Sequence, residues 1–193
     1  MNLSKRIAIF ASGEGTNAEN IIRHFQHHEV IQVAVVISDR KDANGLIRAE
    51  KLNVPAKYFS KEDFENTNVV LDFLEKENID LMVLAGFLKL MPEKIIKEYQ
   101  GRIINIHPAL LPKFGGKGMY GMKVHEAVIA AGEKETGITI HHVNKNFDEG
   151  EIIFQKKIPV QKNETADTLF QKVRNLELEF YPKVIEKILI QKT

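Results

Sequence analysis

The first half of the chain alternates between short apolar runs and stretches whose apolar residues recur at helical spacing. The short runs have the length of buried strands, and they lie at residues 6–11, 31–37, 56–59, 80–85 and 102–106. Helical spacing follows at residues 17–26, 43–52 and 60–77, and a short helix is predicted behind Pro92. Strands that are apolar on both faces and alternate with helices are typical of a parallel sheet covered on both sides.

The segment 60–77 is predicted to form one continuous helix. Ser60 precedes Glu62 and Asp63, which is the pattern of an N-cap hydroxyl followed by acidic residues in the first turn. The residues predicted to face the core are Val69, Val70, Phe73 and Leu74.

After residue 107 the pattern changes. Two stretches in which apolar and polar residues alternate predict an antiparallel pair of strands added to the sheet. A long helix follows this pair, and Pro182 is a candidate interruption within it. These elements are a loop at 108–121, a helix at 124–131, strands at 137–143 and 152–160, and the last helix at 165–190.

The order of these elements predicts an α/β fold. We expect a Rossmann-like open, mostly parallel sheet with helices on both faces and an antiparallel C-terminal addition. The chain contains no internal repeat and no linker-like segment, so a single domain over residues 1–193 is expected.

Composition narrows the classes of protein. Lys and Arg number 27 and Asp and Glu number 26, a balance that argues against a dedicated nucleic-acid-binding protein. The absence of cysteine excludes disulfides and thiolate metal ligands, and no metal site is expected. No signal-peptide pattern and no run of roughly 18–20 apolar residues is present. We therefore expect a cytoplasmic monomer or homodimer that acts on small molecules, without nucleic-acid or membrane partners.

Polar residues follow three of the predicted strands where each strand ends. They occupy residues 12–17, 86–91 and 105–112, and the polar loop 144–150 is long enough to close over them. Ligands bind beyond the carboxyl ends of the strands in open parallel sheets, so these segments predict one shared site.

The first of these segments is a glycine-rich turn that leads into a helix. Such a turn presents free backbone N–H groups and the positive end of a helix dipole, which favours a phosphate. A dinucleotide is an alternative ligand, because Gly13, Gly15 and Ala18 satisfy a relaxed GxGxxG/A pattern. In that alternative, Asp39 after the second strand would bind a ribose.

Asn105 and His107 are two residues apart at a strand end, so their side chains point to the same face. Together an amide and an imidazole can stabilise the negative charge that a carbonyl oxygen gains during nucleophilic attack. Asp148 lies in the polar loop, and a carboxylate beside His107 is expected to raise the histidine pKa and suit it to proton donation. A plain acidic turn at residues 148–150 is the alternative interpretation.

Four motifs together resemble the phosphoribosylglycinamide formyltransferase family, a group of folate-dependent formyltransferases. They are SGEGTN at 12–17, LAGFLKLM at 84–91, NIHPALLP at 105–112 and FDEG at 147–150, and the resemblance extends over about residues 5–185. It implies transfer of the formyl group of 10-formyltetrahydrofolate, a co-substrate, to the amine of glycinamide ribonucleotide, with no metal. It also implies a cis peptide at Leu111–Pro112.

The resemblance assigns roles by position. Asn105 and His107 would hold the oxyanion, and Asp148 would keep His107 protonated and oriented. The nucleotide would contact Gly15, Thr16, Asn17 and Glu177, with Arg174 as a further candidate on the same helix face. Folate would contact Lys61, Leu88, Lys89, Leu90, Met91, Val143 and Asn144.

The sequence also suggests roles for two further histidines and for one loop. His141 is a candidate for supporting the catalytic side chains from behind, and His125 is interpreted as a helix-surface or structural residue. The glycine-rich loop 113–121 is either mobile over the substrate or a plain surface loop.

Several other functions are weighed against this one. A formylmethionyl-tRNA formyltransferase would add a C-terminal tRNA-binding domain, and a formyltetrahydrofolate deformylase would add an N-terminal regulatory domain; neither is expected here. A nicotinamide-dependent oxidoreductase would explain Asp39 but not the Asn105, His107 and Asp148 constellation. An inactive nucleotide-binding module is the remaining alternative.

Overall fold

The computed structural model describes residues 4–190 of the chain. Its strands are β1 (Lys5–Phe10), β2 (Ile31–Ser38), β3 (Ala56–Tyr58), β4 (Leu81–Leu84), β5 (Ile103–His107), β6 (Glu135–His142) and β7 (Ile152–Pro159). Its helices are α1 (Thr16–Phe25), α2 (Asn44–Lys51), α3 (Lys61–Glu65), α4 (Val69–Lys76), α5 (Glu93–Glu98), α6 (Met122–Ala130) and α7 (Ala166–Ile190).

Within residues 4–190, seven strands form one sheet in the order β3-β2-β1-β4-β5-β6-β7. β1 to β5 pair in parallel. The chain first moves outward from β1 through β2 to β3 and then returns to the other side of β1, so the strand order reverses between β1 and β4. Loops at such a reversal diverge and leave a crevice at the carboxyl ends of the strands.

β6 runs antiparallel to β5, and β7 runs antiparallel to β6. The predicted fold class and the antiparallel C-terminal addition are therefore confirmed. The register of β5 and β6 places Asn105 opposite His141 and His107 opposite Thr139. This pairing brings a histidine from a distant part of the chain beside the candidate catalytic residues.

Both faces of the sheet are covered, as the apolar strands predict. Ile7 and Ile9 belong to a core beneath α1, α2, α6 and α7, whereas Ala8 and Phe10 belong to a core beneath α3, α4 and α5. Successive side chains of a strand point to opposite faces, so β1 supplies both cores.

Tyr181 fixes α7 against the sheet close to the crevice. Its side chain is completely buried, and its hydroxyl donates a hydrogen bond to the carbonyl oxygen of Leu84 at 2.9 Å, where β4 ends. Glu177 and Arg174 lie one and two turns earlier on α7 and line the crevice.

The predicted continuous helix over 60–77 is wrong, because the structure has two helices there, α3 and α4. Ser60 does cap the first helix with Asp63 in a capping box. Beyond it, the Thr67 hydroxyl donates to the Asp63 carbonyl oxygen at 3.0 Å and accepts from the Val69 backbone N–H at 3.3 Å. These bonds satisfy backbone groups outside a helix and separate the two segments.

Two smaller expectations are also resolved. Val69, predicted to face the core, begins α4 and is 47% exposed, whereas Val70 and Leu74 are buried as expected. Pro182 does not interrupt the last helix, since α7 runs through it from Ala166 to Ile190.

A substitution at Gly15 tests how closely the loop after β1 packs against α2. Gly15 has φ +69°, and a Cβ there would lie 2.3 Å from the Cα of Gly45. We expect Gly15→Ala to lower the free energy of unfolding by about 2–4 kcal/mol, measured by urea denaturation, because strain and a backbone clash combine.

Gly132→Ala is the matched control. Gly132 has a similar φ of +63°, but no atom lies within 4 Å of its built Cβ. Gly132→Ala should therefore lower the free energy of unfolding only by the strain contribution, about 1 kcal/mol. Equal losses in the two variants would contradict the close approach of the loop to α2.

Candidate active site

A cavity of about 800 Å³ lies at the carboxyl ends of β1, β4 and β5. Its wall is built by the loops that follow these strands, by residues 116–121 and 143–148, and by one face of α7. The structure thus brings together polar segments that the sequence places far apart. The predicted site residues that line the cavity are Gly15, Thr16, Asn17, Leu88, Lys89, Leu90, Met91, Asn105, His107, His141, Val143, Asn144, Asp148, Arg174 and Glu177.

Lys61 is the one predicted site residue that the described cavity wall does not include. It begins α3, its side chain is 73% exposed, and its ammonium nitrogen lies 3.6 Å from the Glu65 carboxylate. The structure therefore places Lys61 on the surface, away from the other predicted folate contacts.

Asp148 lies where the loop after β6 meets β5. Its Oδ2 accepts a hydrogen bond from the Gly116 backbone N–H at 3.0 Å and lies 3.5 Å from His107 Nδ1. Its Oδ1 accepts from Asn105 Nδ2 at 3.3 Å and lies 3.5 Å from His141 Nε2. A non-glycine residue with φ +56° is uncommon, and here that backbone conformation accompanies these contacts.

The position of Asp148 rules out the interpretation of residues 148–150 as a plain acidic turn. Its side chain is only 11% exposed, and it points inward to two histidines. The neighbouring Glu149 is exposed and accepts from Asn146 Nδ2 at 2.7 Å instead.

The imidazole of His107 faces an acceptor on each side. Nε2 lies 2.7 Å from the carbonyl oxygen of Phe114, which can only accept, so Nε2 carries the proton of the neutral ring. Nδ1 is then the nitrogen that faces Asp148 and gains or loses a proton. The tautomer is therefore set by the loop after β5.

Asp148 does push the pKa of His107 upward, as expected, but the expected net rise is wrong. Burial lowers the pKa of His107, and the opposing effects of Asp148 and of the Phe114 carbonyl do not overcome it. His107 is almost completely buried, so a positive charge on it loses most of its hydration.

For the pKa of Asp148, hydrogen bonds and nearby charges outweigh the effect of burial. Burial pushes its pKa upward, but the hydrogen bond with His141, the charge of His107 and the Gly116 N–H outweigh this effect. The pKa of Asp148 therefore falls below its ordinary value, and the carboxylate is ionised at neutral pH.

His141 supports Asn105 from the adjacent strand. Its Nδ1 donates to the carbonyl oxygen of His142 at 2.8 Å, so Nε2 is the ring nitrogen that faces the site. That nitrogen lies 3.2 Å from Asn105 Nδ2. The amide group of Asn105 is thereby oriented with its nitrogen toward His141 and Asp148.

Three contacts pin the loop after β5 that holds Phe114. Leu111 N–H donates to the Thr139 hydroxyl at 3.0 Å, that hydroxyl donates to the Ala109 carbonyl oxygen at 2.7 Å, and Gln155 Nε2 donates to the Leu111 carbonyl oxygen at 3.0 Å. The predicted cis peptide at Leu111–Pro112 is confirmed.

The other end of the cavity fits an anion and a polyol. The N-terminus of α1 begins at Thr16, directly after the left-handed Gly15, and points its free N–H groups toward this end. Asn17 Nδ2 donates to Glu177 Oε2 at 3.0 Å. Burial raises the pKa of Glu177 to about 7, although Asn17 and Arg174 oppose it.

The loop after β4 gives the cavity an apolar entrance. Leu88 and Leu90 are 43% and 44% exposed, whereas Phe87 and Met91 are buried beneath them. Lys89 adds a positive charge beside these leucines. Exposed leucines at a concave site are typical of a surface that binds a flat, partly apolar ligand.

Asp39 does not lie in the cavity wall. Its Oδ1 accepts a hydrogen bond from the Ser12 hydroxyl at 2.6 Å, and the same hydroxyl accepts from the Leu88 N–H at 3.1 Å. Asp39 therefore holds two cavity loops together through Ser12, a contact that does not require a ribose ligand.

Sequence reasoning missed two residues of the cavity wall. Of the two interpretations of His125, the helix-surface one is wrong, because the residue is 1% exposed; in addition, it lines the cavity. Phe170 was not considered, although it lies on the same α7 face as Arg174 and Glu177. Counting back from Glu177 by three, four and seven residues would have found that face.

Two absences among the described residues concern membrane-spanning helices and clusters of metal-ligating side chains. No helix of residues 4–190 is long and apolar enough to cross a bilayer, and no group of three or more His, Asp or Glu in that range could hold a metal ion.

Comparison with known proteins shows which sequences are similar to this chain. Residues 5–185 match the family model described as formyl transferase. The chain is 34% identical to phosphoribosylglycinamide formyltransferase of Bacillus subtilis (strain 168), covering 96% of this chain and 95% of that protein. It is 38% identical to the chloroplastic phosphoribosylglycinamide formyltransferase of Vigna unguiculata, covering 95% of this chain but 61% of that longer protein.

This chain is also similar to a solved structure. The crystal structure of phosphoribosylglycinamide formyltransferase from Anaplasma phagocytophilum superposes with a TM-score of 0.87 at 32% identity. The match covers 97% of this chain and 87% of that one.

The contact between Asp148 and His107 predicts how His107 titrates. In Asp148→Asn the neighbouring negative charge is lost, so the pKa of His107 should fall further below its ordinary value, measured by NMR of the imidazole. Asparagine tolerates the left-handed backbone of position 148, so the loop can keep its shape.

Glu149→Gln removes the adjacent, exposed carboxylate and serves as the control. It should leave the His107 titration unchanged. A His107 pKa that stays the same or rises in Asp148→Asn would contradict the electrostatic coupling described above.

Proposed function

Since the chain belongs to the formyl transferase family, we propose that it transfers the formyl group of 10-formyltetrahydrofolate to the amine of glycinamide ribonucleotide. The products are formylglycinamide ribonucleotide and tetrahydrofolate, a step of purine synthesis. The observation that carries this proposal is the meeting of Asn105, His107 and Asp148 between an anion-binding end and an apolar entrance of one cavity.

The reaction needs stabilisation of an oxyanion. When the amine attacks the formyl carbon, the carbonyl oxygen becomes negative. Asn105 Nδ2 contacts His141 Nε2 at 3.2 Å and Asp148 Oδ1 at a long 3.3 Å, and an oxyanion can replace Asp148 as the partner of one N–H. Once Nδ1 of His107 has taken the proton of the attacking nitrogen, it supplies a second donor to the oxyanion from the same face of β5.

The reaction also needs movement of one proton. The attacking nitrogen loses a proton and the leaving folate nitrogen gains one. Because burial lowers the pKa of His107, the resting imidazole is neutral and can accept this proton at Nδ1. Asp148 balances the charge that then forms, and the imidazolium returns the proton to the leaving nitrogen.

The two ends of the cavity would hold the two substrates in line. The nucleotide phosphate would bind the N–H groups at Gly15, Thr16 and Asn17, with Arg174 adding charge and Glu177 accepting ribose hydroxyls. Folate would lie on Leu88, Leu90 and Met91 and extend along Val143 and Asn144. Holding both reactants in place supplies much of the rate acceleration.

Lys89 would meet the glutamate tail of the folate. An ammonium offers a single point charge rather than a bidentate fork, so this contact is expected to be less geometrically specific than an arginine contact. We further propose that the protein works in the cytoplasm as a single domain over residues 1–193, without a metal ion.

The direct test is formyl transfer itself. Purified protein with glycinamide ribonucleotide and 10-formyltetrahydrofolate should produce deformylated folate, measured by absorbance. His107→Ala should lower kcat by at least about a thousandfold, because both the proton carrier and one oxyanion donor are lost.

His24→Gln, which changes a histidine outside the cavity wall, should leave turnover unchanged. Absence of transfer by the wild-type protein, or normal turnover in a folded His107→Ala protein, would contradict the proposal. Tight binding of NAD or NADP instead would favour the oxidoreductase alternative.

Arg174 tests the nucleotide end separately. Arg174→Gln should raise KM for glycinamide ribonucleotide by about tenfold through loss of a charged phosphate contact, with KM for the folate unchanged. Lys172→Gln on the same helix is the control, since Lys172 is paired with Glu164 outside the cavity wall. A parallel rise in both KM values would argue against a phosphate contact by Arg174.

A further inference from the structure

His125 carries a hydrogen-bonding atom that the folded chain does not satisfy. The residue is 1% exposed, and its Nδ1 is buried without a hydrogen-bond partner among residues 4–190. The His125 ring packs edge-to-face on the Phe170 ring, with the ring centroids 5.5 Å apart. A buried polar atom without a partner destabilises the folded state, so its presence calls for an explanation.

A structural role does not provide that explanation. An apolar side chain of similar size would pack against Phe170 without leaving a polar atom unpaired. Burial, together with the nearby His107, also lowers the pKa of His125 to about 4. The ring is therefore neutral at the pH of catalysis and offers one N–H donor and one nitrogen acceptor.

The position of His125 limits what it can meet. It lies on α6, which packs against α7, and it shares the cavity wall with Phe170, Val173 and Glu177. His107 lies in the same cavity wall, close enough for its charge to contribute to the lowered pKa of His125. His125 is on the α7 side of the cavity, whereas the proposed folate contacts come from the loops after β4 and β6.

In the proposed placement of the nucleotide, one particular chemical group lies next to His125. The amine of the nucleotide lies at His107 and its ribose at Glu177, so the secondary amide that joins them lies between. That amide presents one carbonyl acceptor and one N–H donor. Nδ1 of the neutral His125 ring can meet one of these two groups: without a proton it accepts from the amide N–H, and as N–H it donates to the carbonyl oxygen.

We propose that His125 is a substrate-binding residue that recognises the amide of the glycinamide group and so directs the amine toward His107. This inference rests on the proposed function of the same cavity. It assigns His125 to the nucleotide half of the reaction and gives it no part in folate binding.

The test compares binding of two ligands to the full-length protein by calorimetry. One is glycinamide ribonucleotide, and the other is ribose 5-phosphate, which keeps the phosphate and the sugar but lacks the amide. His125→Leu should weaken binding of glycinamide ribonucleotide by about tenfold and leave binding of ribose 5-phosphate within about twofold.

Steady-state kinetics and stability complete the test. His125→Leu should raise KM for the nucleotide but not for the folate, and its thermal midpoint should equal or exceed that of the wild type because an unpaired polar atom is removed. His125→Gln, which keeps a donor and an acceptor, should recover part of the lost affinity. If the leucine variant does not fold, the same KM comparison is made on His125→Gln, which should show a smaller rise for the nucleotide alone.

Thr136→Val is the matched control. Thr136 is also 1% exposed with an unpartnered hydroxyl, but it does not line the cavity. It should leave both KM values unchanged. Unchanged nucleotide binding in folded His125 variants, or equal losses for both ligands, would overturn the role of His125 while formyl transfer by the wild type persists. A wild-type protein that neither binds glycinamide ribonucleotide nor transfers formyl would overturn the proposed function itself, and the inference with it.

Discussion

The carboxylate of Asp148 contacts three separate parts of the chain: the glycine loop at Gly116, β5 at Asn105 and His107, and β6 at His141. Each contact has a different effect. The loop contact fixes the wall of the cavity, the contact with His107 moderates the cost of charging a buried imidazole, and the contacts with Asn105 and His141 orient the amide. The candidate chemistry depends on this one carboxylate being ionised and held inward.

The rest of the fold supplies the place where such contacts can form. The reversal of strand order between β1 and β4 opens the crevice, and the antiparallel β6 brings His141 beside Asn105. Tyr181 ties α7 to the end of β4. That anchor holds the nucleotide-facing side of α7 at a fixed distance from the catalytic end, which a reaction between two bound substrates requires.

Sequence alone predicted the features that depend on local pattern. Period-2 spacing placed Asn105 and His107 on one face, and the glycine turn before α1 indicated an anion site. The sequence alone could not predict features that depend on how the elements pack together. The break after α3 arises from polar side chains competing for backbone groups, which hydrophobic spacing does not register. The direction of the His107 pKa depends on burial, and the role of His125 depends on how α6 meets α7.

The central claim is that the cavity aligns an amine and a formyl group beside Asn105 and His107. A crystal structure with glycinamide ribonucleotide and an unreactive analogue of 10-formyltetrahydrofolate tests it most directly. We expect the amine nitrogen about 3–3.5 Å from the formyl carbon, with the formyl oxygen within hydrogen-bond distance of Asn105 Nδ2 and His107 Nδ1. A complex in which the two ligands bind with the amine directed away from these side chains would contradict the account.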